Sequence, residues 1–305
     1  MEIISFKFKK VADFVYELCR FGEVPLYFSK YSNKLYSNYQ HLFLLVYKQF
    51  RKFTYEELLT DLSDNIGLRE YIGLNRLPHY TTLVYFSQKI PTKVLDSLVI
   101  AFKNIVNKPV KVAIDATSIS LDNASPHYCK RIGLAIKKRP FLKRTFVVDI
   151  HNFVILLAKF RKKPRHDTKD AKPMIKKLAK HYHPKIFYAD RGYDDNSVFK
   201  LVFETLHAYP LIFQKNQHVP KHKRTGQYRK ETFDVFDYGE YLQRNKIETT
   251  ISMFKRRFGC NIRSKNVKCQ KVEAITRIIA YNIDRLLRTG KQILIIILKI
   301  TRISY

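Results

Sequence analysis

The spacing of apolar residues divides the chain into a helical first third and a mixed second part. Residues 1–108 have a helical character, and "SNYQHLFLLVYKQF" within them repeats apolar side chains every three or four positions. Thr54 and Glu57 have the spacing of a capping box at the start of a further helix. Two more stretches that begin at or after a proline predict short helices. Several short helices are typical of a helix-turn-helix DNA-binding region, and a plain helical bundle is the alternative.

The pattern changes near residue 109, where alternating and clustered apolar residues predict strands instead of helices. The predicted elements are, in order, the strand "VKVAIDATSISL", the strand pair "RTFVVDI" and "FVILLAKF" with a turn at His151 and Asn152, the helix "DTKDAKPMIKKLAKHY", the strand "KIFYAD", the helix "NSVFKLVFETLH", the strand "YPLIFQKN", and a helix that carries Glu248. A strand meander followed by alternating helices and strands indicates a mixed α/β domain.

Composition adds a core and a strong charge to this picture. Hydrophobic residues make up 46% of 305 residues, which is enough for a sizeable core. Lys and Arg total 57 against 26 acids, and the formal net charge of +31 favours a polyanion, with nucleic acid as the default partner. A membrane surface is the rival, but the apolar run 293–298 is far shorter than the roughly 20 residues of a spanning helix.

Several other classes of protein are not indicated. The N-terminus has no apolar signal-peptide core, and the four cysteines form no CxxC motif, so we expect a cytoplasmic protein with reduced thiols. His127 and Cys129 lie close together in the sequence but lack further metal ligands. No GxxxxGK[ST] or GxGxxG sequence indicates a nucleotide cofactor.

Three carboxylates are candidates for chemistry. Asp115 interrupts an apolar strand, and Asp190 ends another, at the position where sites assemble in α/β sheets. Each has a structural alternative: Asp115 could cap a turn or pair with a lysine, and Asp190 could begin the turn at Gly192. Asp149 and Asp167 are interpreted as structural, the first at a turn and the second as a helix N-cap.

The third candidate, Glu248, lies in "YLQRNKIETTISMFK". On a helix, steps of three and four place it on one face with Tyr241, Arg244, Ser252 and Lys255. The alternative is an ion pair between Glu248 and Arg244, four residues apart. Clustered carboxylates repel one another unless a divalent cation binds them, and ligands that are all oxygen suit Mg²⁺ or Mn²⁺.

A family resemblance joins these observations. Tyr241, Arg244, Glu248 and Lys255 fit the pattern Y-x2-R-x3-E-x6-K, which resembles the C-terminal signature of insertion-sequence DDE transposases. "VAIDATSISL" and "YADRGYDD" are similar to the strands that carry the first and second aspartates of that family. The stretches after the glutamate and the helical N-terminal region are also similar, so that the resemblance extends from about residue 36 to about residue 288.

The resemblance implies a fold, an activity and a set of roles. It implies an N-terminal helical region (1–108), a ribonuclease-H-like catalytic domain with a mixed five-stranded sheet flanked by helices (109–290), and an apolar tail (291–305). It implies that Asp115, Asp190 and Glu248 bind two Mg²⁺ or Mn²⁺ ions for cleavage at transposon ends and strand transfer. Two rivals remain: a metal-dependent DNA nuclease of this fold without strand transfer, and an inactive DNA-binding remnant.

The same resemblance implies the partners. These are double-stranded DNA, as terminal inverted repeats and as target, and a second copy of the chain in a homodimer or higher oligomer at the nucleoid. Its DNA contacts would come from Tyr241, Arg244, Lys255 and Arg256. The basic loop with Lys221, Lys223 and Arg224 is interpreted as a solvated loop that contacts DNA, or alternatively as solvated surface alone.

Overall fold

A computed structural model describes residues 2–106, 108–121, 141–162 and 165–289. By its internal contacts the chain separates into two compact units. The first contains the residues up to Ile105 together with those from Ile262, and the second runs from Val106 to Asn261. His127, Cys129 and the tail 291–305 lie outside the described residues. None of the helices within the described ranges is long and apolar enough to cross a membrane.

The first unit is helical, as the periodicity predicts. Its α-helices are α1 (Glu2–Phe21), α2 (Asn38–Arg51), α3 (Tyr55–Asp64), α4 (Ile66–Tyr71), α5 (Tyr80–Lys89), α6 (Thr92–Ile100) and α12 (Val267–Arg288). The predicted capping box is confirmed: the Thr54 hydroxyl accepts from the Glu57 N–H at 3.2 Å, and the Glu57 carboxylate accepts from the Thr54 N–H at 2.6 Å. Ser37 and Gln40 form a second box at the start of α2.

Helix α12 belongs to this helical unit. Every residue from Val272 to Asp284 is buried, and Arg277 Nε donates to Gln49 Oε1 of α2 at 3.1 Å. A helix that is buried on all sides needs neighbours around its whole circumference, and α2 supplies part of them. The sheet-containing unit ends at Asn261, so α12 lies outside it.

The second unit is built on a mixed sheet of five strands in the order β3-β2-β1-β4-β5. The strands are β1 (Lys111–Ser120), β2 (Phe141–Asp149), β3 (Val154–Arg161), β4 (Ile186–Ala189) and β5 (Tyr209–Ile212). Strands β1, β2 and β3 are antiparallel neighbours, whereas β4 runs parallel to β1 and to β5. The α-helices of the unit are α7 (Asp167–Ala179), α8 (Asn196–Glu204), α9 (Gln227–Asp234), α10 (Tyr238–Tyr241) and α11 (Asn245–Phe258). The predicted α/β class, with a mixed five-stranded sheet flanked by helices, is confirmed.

The turn between β2 and β3 explains one acid that the sequence left out of the site. Asp149 is fully buried, and its Oδ1 accepts from the His151 N–H at 2.9 Å while its Oδ2 accepts from the Asn152 side chain at 2.5 Å. These bonds tie the hairpin turn to the end of β2. The structural interpretation of Asp149 is confirmed.

Candidate active site

The register of the parallel strands brings two of the candidate acids side by side. Ala113 of β1 lies opposite Tyr188 of β4. Asp115 follows Ala113 by two residues, and Asp190 follows Tyr188 by two residues. Since residues two apart on a strand point to the same face, both carboxylates project from neighbouring strands at the carboxyl end of the parallel pair.

Asp115 is half-buried and is held by the backbone. Its Oδ1 accepts from the Ala116 N–H at 2.7 Å. Burial raises the pKa of Asp115 to about 6, although the bond from Ala116 works in the opposite direction. The negative charges of Asp190 and Glu248 raise this pKa further. All three predicted acids therefore lie within electrostatic range of one another.

The Asp190 side chain caps a turn and is also a candidate site residue. Its Oδ1 accepts from the Gly192 N–H at 2.9 Å, which caps the short 3₁₀ turn Arg191–Tyr193. The structural alternative for Asp190 is therefore real, but it uses one oxygen only. Among the described residues, the second oxygen of Asp190 and that of Asp115 accept no hydrogen bond.

Glu248 is held in a different way, by a side chain. Its carboxylate lies 2.5 Å from Arg244 Nη2, with 56% of the Glu248 side chain and 15% of the Arg244 side chain exposed. The ion pair that was the alternative for Glu248 is thus present. The α-helix begins only at Asn245, because Tyr241 ends α10 and the intervening residues form a 3₁₀ turn. The prediction of one regular helix from residue 241 is wrong in this detail.

The side chains of Tyr241 and Arg244 are partly buried next to the candidate acids. The Tyr241 ring is half-buried, with ring centroids 5.3 Å from Phe236 and 5.7 Å from Phe213. Burial raises the pKa of Tyr241, and so does the negative charge of Asp190. The predicted signature residues are therefore close to the acids, but in the free protein Tyr241 packs against aromatic rings and Arg244 pairs with Glu248.

The remaining basic candidates fall into two groups. Arg256 and Lys223 are exposed, and Lys255 is half-buried in the last turn of α11. Lys221 opens a short 3₁₀ turn. Arg224 differs, because it is only 6% exposed, donates to Asn216 O at 2.9 Å, and stacks 3.5 Å from the centroid of the Phe233 ring. Its burial argues against a DNA contact by Arg224 and indicates that this guanidinium secures the basic loop.

Asp167 is not the N-cap that the sequence indicated. Helix α7 begins at Asp167 itself, and His166 occupies the cap position, where its ring contacts Thr168 Oγ1 at 3.0 Å and makes no capping bond to the backbone. Asp167 instead pairs with Lys143 of β2 at 2.6 Å, and the buried Asp170 pairs with Arg161. Asp167 and Asp170, both on α7, thus form a second group of acids, and Asp167 lies close to Asp190: a Cβ placed on Gly192 would be 3.0 Å from Asp190 Oδ1 and 3.5 Å from Asp167 Oδ2.

Asp115 and Asp190 offer a donor set that fits a hard divalent cation. Two neighbouring carboxylates offer oxygen ligands and repel each other, which favours ions such as Mg²⁺. In the described ranges, no group of three or more acidic, histidine or cysteine side chains surrounds a common metal position.

Comparison with known proteins agrees with this geometry. Residues 107–283 match the family model described as "Transposase DDE domain", and the chain belongs to that family. The chain is therefore a transposase of the DDE class. Among solved structures, it is similar to a piggyBac transposase in a synaptic complex with hairpin DNA, with 10% identity, a TM-score of 0.48, and coverage of 96% of this chain and 78% of that chain. Comparison with curated protein sequences finds no match.

Proposed function

We propose that this transposase cuts DNA at the ends of its transposon and joins the resulting 3′-hydroxyl to target DNA. The observation that carries the proposal is the pairing of Asp115 and Asp190 on β1 and β4, with Glu248 close enough to raise the pKa of Asp115. Three acids from separate parts of the sequence, in the order that the family resemblance implies, support a common role. A shared role in binding cations accounts for their proximity without requiring that the charges be neutralised by protons.

Asp115, Asp190 and Glu248 would hold the divalent ions, Mg²⁺ or Mn²⁺, that DDE transposases generally use, and we propose two ions. The ions supply polarisation of the scissile phosphate and activation of a water or a 3′-hydroxyl. The chain's own contribution is to fix the acceptors: Ala116 and Gly192 N–H groups each anchor one aspartate oxygen. The other aspartate oxygens then point to the ligand with little freedom to lose.

Arg244 links DNA binding to this site. A guanidinium binds phosphate with two parallel hydrogen bonds, so a DNA phosphate competes with Glu248 for Arg244. When Arg244 turns to the phosphate, the carboxylate of Glu248 becomes available to the aspartate pair. The site would therefore be completed only with DNA present.

The remaining contacts and the assembly follow from charge and from the family. The charge of +31 favours binding to double-stranded DNA, and Lys255, Arg256, Lys221 and Lys223 are the proposed phosphate contacts. We propose that the helices before Ile105 bind the terminal repeat and that two or more copies pair the two ends. The protein would then act in the cytoplasm, on the nucleoid.

The experiment is cleavage of a labelled fragment that carries the element's own terminal repeat, with Mg²⁺ or Mn²⁺. The native chain is compared with Asp115→Asn and with Glu231→Gln, which removes one charge at an exposed position of α9. The proposal expects metal-dependent nicking at the repeat boundary that is lost only in Asp115→Asn. Nicking without joining of the 3′-hydroxyl would indicate a nuclease, and tight binding without nicking would indicate an inactive remnant.

A further inference from the structure

Tyr193 is a buried tyrosine whose hydroxyl has no hydrogen-bond partner. It ends the 3₁₀ turn that follows Asp190, and the residue is 0% exposed. Within the part of the chain that the structure describes, the Tyr193 hydroxyl finds neither a donor nor an acceptor. Buried tyrosine hydroxyls are normally bonded, so an unpaired one calls for a missing partner.

The surroundings of this hydroxyl are acidic. Burial raises the pKa of Tyr193 well above its ordinary value, and the charges of Asp167, Asp115 and Asp190 raise it further. Gly192, the preceding residue, lies between two of these acids: a Cβ placed on it would be 3.0 Å from Asp190 Oδ1 and 3.5 Å from Asp167 Oδ2. Tyr193 is thus a buried donor in acidic surroundings, on the turn that Asp190 caps, and its hydroxyl makes no hydrogen bond among the described residues.

A neutral phenol among carboxylates can act as a hydrogen-bond donor. A raised pKa keeps the proton on the oxygen, which excludes Tyr193 as an ionised nucleophile at neutral pH. A phenol O–H donates readily to a carboxylate, and such a bond stabilises the ionised carboxylate and fixes its orientation. Among the described residues the Tyr193 hydroxyl makes no such bond, and one oxygen of each aspartate accepts none either.

We propose that Tyr193 is a positioning residue of the metal site, whose hydroxyl donates to the Asp115–Asp190 pair when a divalent cation draws the two carboxylates together. This inference rests on the proposed function. The protein keeps an unpaired donor next to the site in the free state and uses it in the metal-bound state. Outer hydrogen bonds of this kind commonly change metal affinity by about 10- to 100-fold.

The test is Tyr193→Phe in the full chain, with metal affinity measured by calorimetric titration of Mn²⁺ and stability by thermal unfolding. We expect Mn²⁺ binding to weaken about tenfold. Since the hydroxyl is unpaired without metal, we expect the Tm of the metal-free variant to be unchanged or raised by up to about 4 °C. A residue with a purely structural hydroxyl gives the reverse pattern.

Tyr188→Phe is the matched control. Tyr188 of β4 is equally buried, but its hydroxyl donates to Glu240, so its loss should lower the metal-free Tm and leave Mn²⁺ affinity unchanged. Unchanged Mn²⁺ affinity in Tyr193→Phe, or a loss of metal-free stability like that of Tyr188→Phe, would overturn the inference alone. Failure of the native chain to bind Mn²⁺ at all would overturn it together with the proposed metal site.

Discussion

The two strand-borne aspartates and the helix-borne glutamate are held by opposite means. Asp115 and Asp190 are half-buried on adjacent parallel strands, and a backbone N–H fixes one oxygen of each. Glu248 is on the first turn of α11, and its largely exposed carboxylate pairs with the Arg244 side chain. In the proposed site, backbone N–H groups hold the two aspartates, whereas the Arg244 side chain, which a DNA phosphate would attract, holds the glutamate.

This difference separates two functions of the site. A pair of fixed aspartates can hold a cation before any substrate arrives, because backbone anchors cost nothing further on binding. Under the proposed function, Glu248 would have to exchange Arg244 for the cation and would therefore join at a later stage. The account therefore predicts unequal consequences for substitutions in the two halves.

The largest expected effect comes from substituting an aspartate and the glutamate of the proposed site separately. Asp190→Asn should lower cleavage on the order of 10³-fold or more and also weaken Mn²⁺ binding in the absence of DNA. Glu248→Gln should lower cleavage as severely. It should leave DNA-free Mn²⁺ binding within about threefold of the native value, because the Glu248 carboxylate is already paired with Arg244. Cleavage assays and calorimetric titration of the same preparations measure both. Equal losses of metal affinity in the two variants would contradict the comparison.

The pH dependence of metal binding tests the strand half next. The pKa of Asp115 is raised to about 6, so below that pH the folded protein holds a proton that a cation must displace. Mn²⁺ affinity should be constant above about pH 7 and should fall about tenfold per unit below pH 6. Without metal the sign is opposite: the folded state binds this proton more tightly than the unfolded state, so stability falls as pH rises from about 4 to 6. Titration and thermal unfolding over pH 4.5–8 measure both trends.

A smaller effect tests the helix half. Arg244→Gln removes the competitor for Glu248, and DNA-free Mn²⁺ binding should tighten about two- to fivefold. Lys200→Gln is the control, because it breaks an ion pair of the same spacing with Glu204 on α8. Calorimetric titration compares the two, and thermal unfolding verifies that each variant is folded. Weaker metal binding in Arg244→Gln would show that Arg244 supports the site directly instead of restraining Glu248.

The smallest effect concerns the anchor of Asp190. A Cβ at Gly192 would lie 3.0 Å from Asp190 Oδ1, closer than ordinary contact, so Gly192→Ala should shift this carboxylate and weaken Mn²⁺ binding about two- to threefold. At Gly67 of α4 an added Cβ meets nothing within 4 Å, and Gly67→Ala should leave Mn²⁺ affinity unchanged. If the two variants bind Mn²⁺ equally, the backbone anchor of Asp190 is not what positions it.

The sequence predicted the strand half of the site better than the helix half, for a physical reason. Alternating and clustered apolar residues around Asp115 and Asp190 defined the strands that carry them or end at them. The side-chain partners depend on tertiary contacts that no local pattern encodes. The burial of Arg224, the pairing of Asp167 with Lys143 and the unpaired hydroxyl of Tyr193 are all of this kind.

The grouping of the helices into compact units depends on tertiary contacts as well. Helix α12 follows α11 closely in the sequence, and its spacing alone does not reveal which neighbour covers it. Contacts such as that between Arg277 and Gln49 join residues more than 200 positions apart. The capping box of Thr54 and Glu57, in contrast, joins two residues three positions apart and was predicted correctly.

The most direct test of the central claim, that Asp115 binds the cation that supports DNA cleavage, is a metal-rescue experiment with Asp115→Cys. A thiolate binds Mg²⁺ poorly and softer ions better, so the identity of the ion becomes visible in the rate. We expect cleavage of the terminal repeat in Mg²⁺ to fall on the order of 10³-fold, and cleavage in Mn²⁺ to recover at least about tenfold of that loss. The same fractional activity in both metals would contradict a direct bond between Asp115 and the cation.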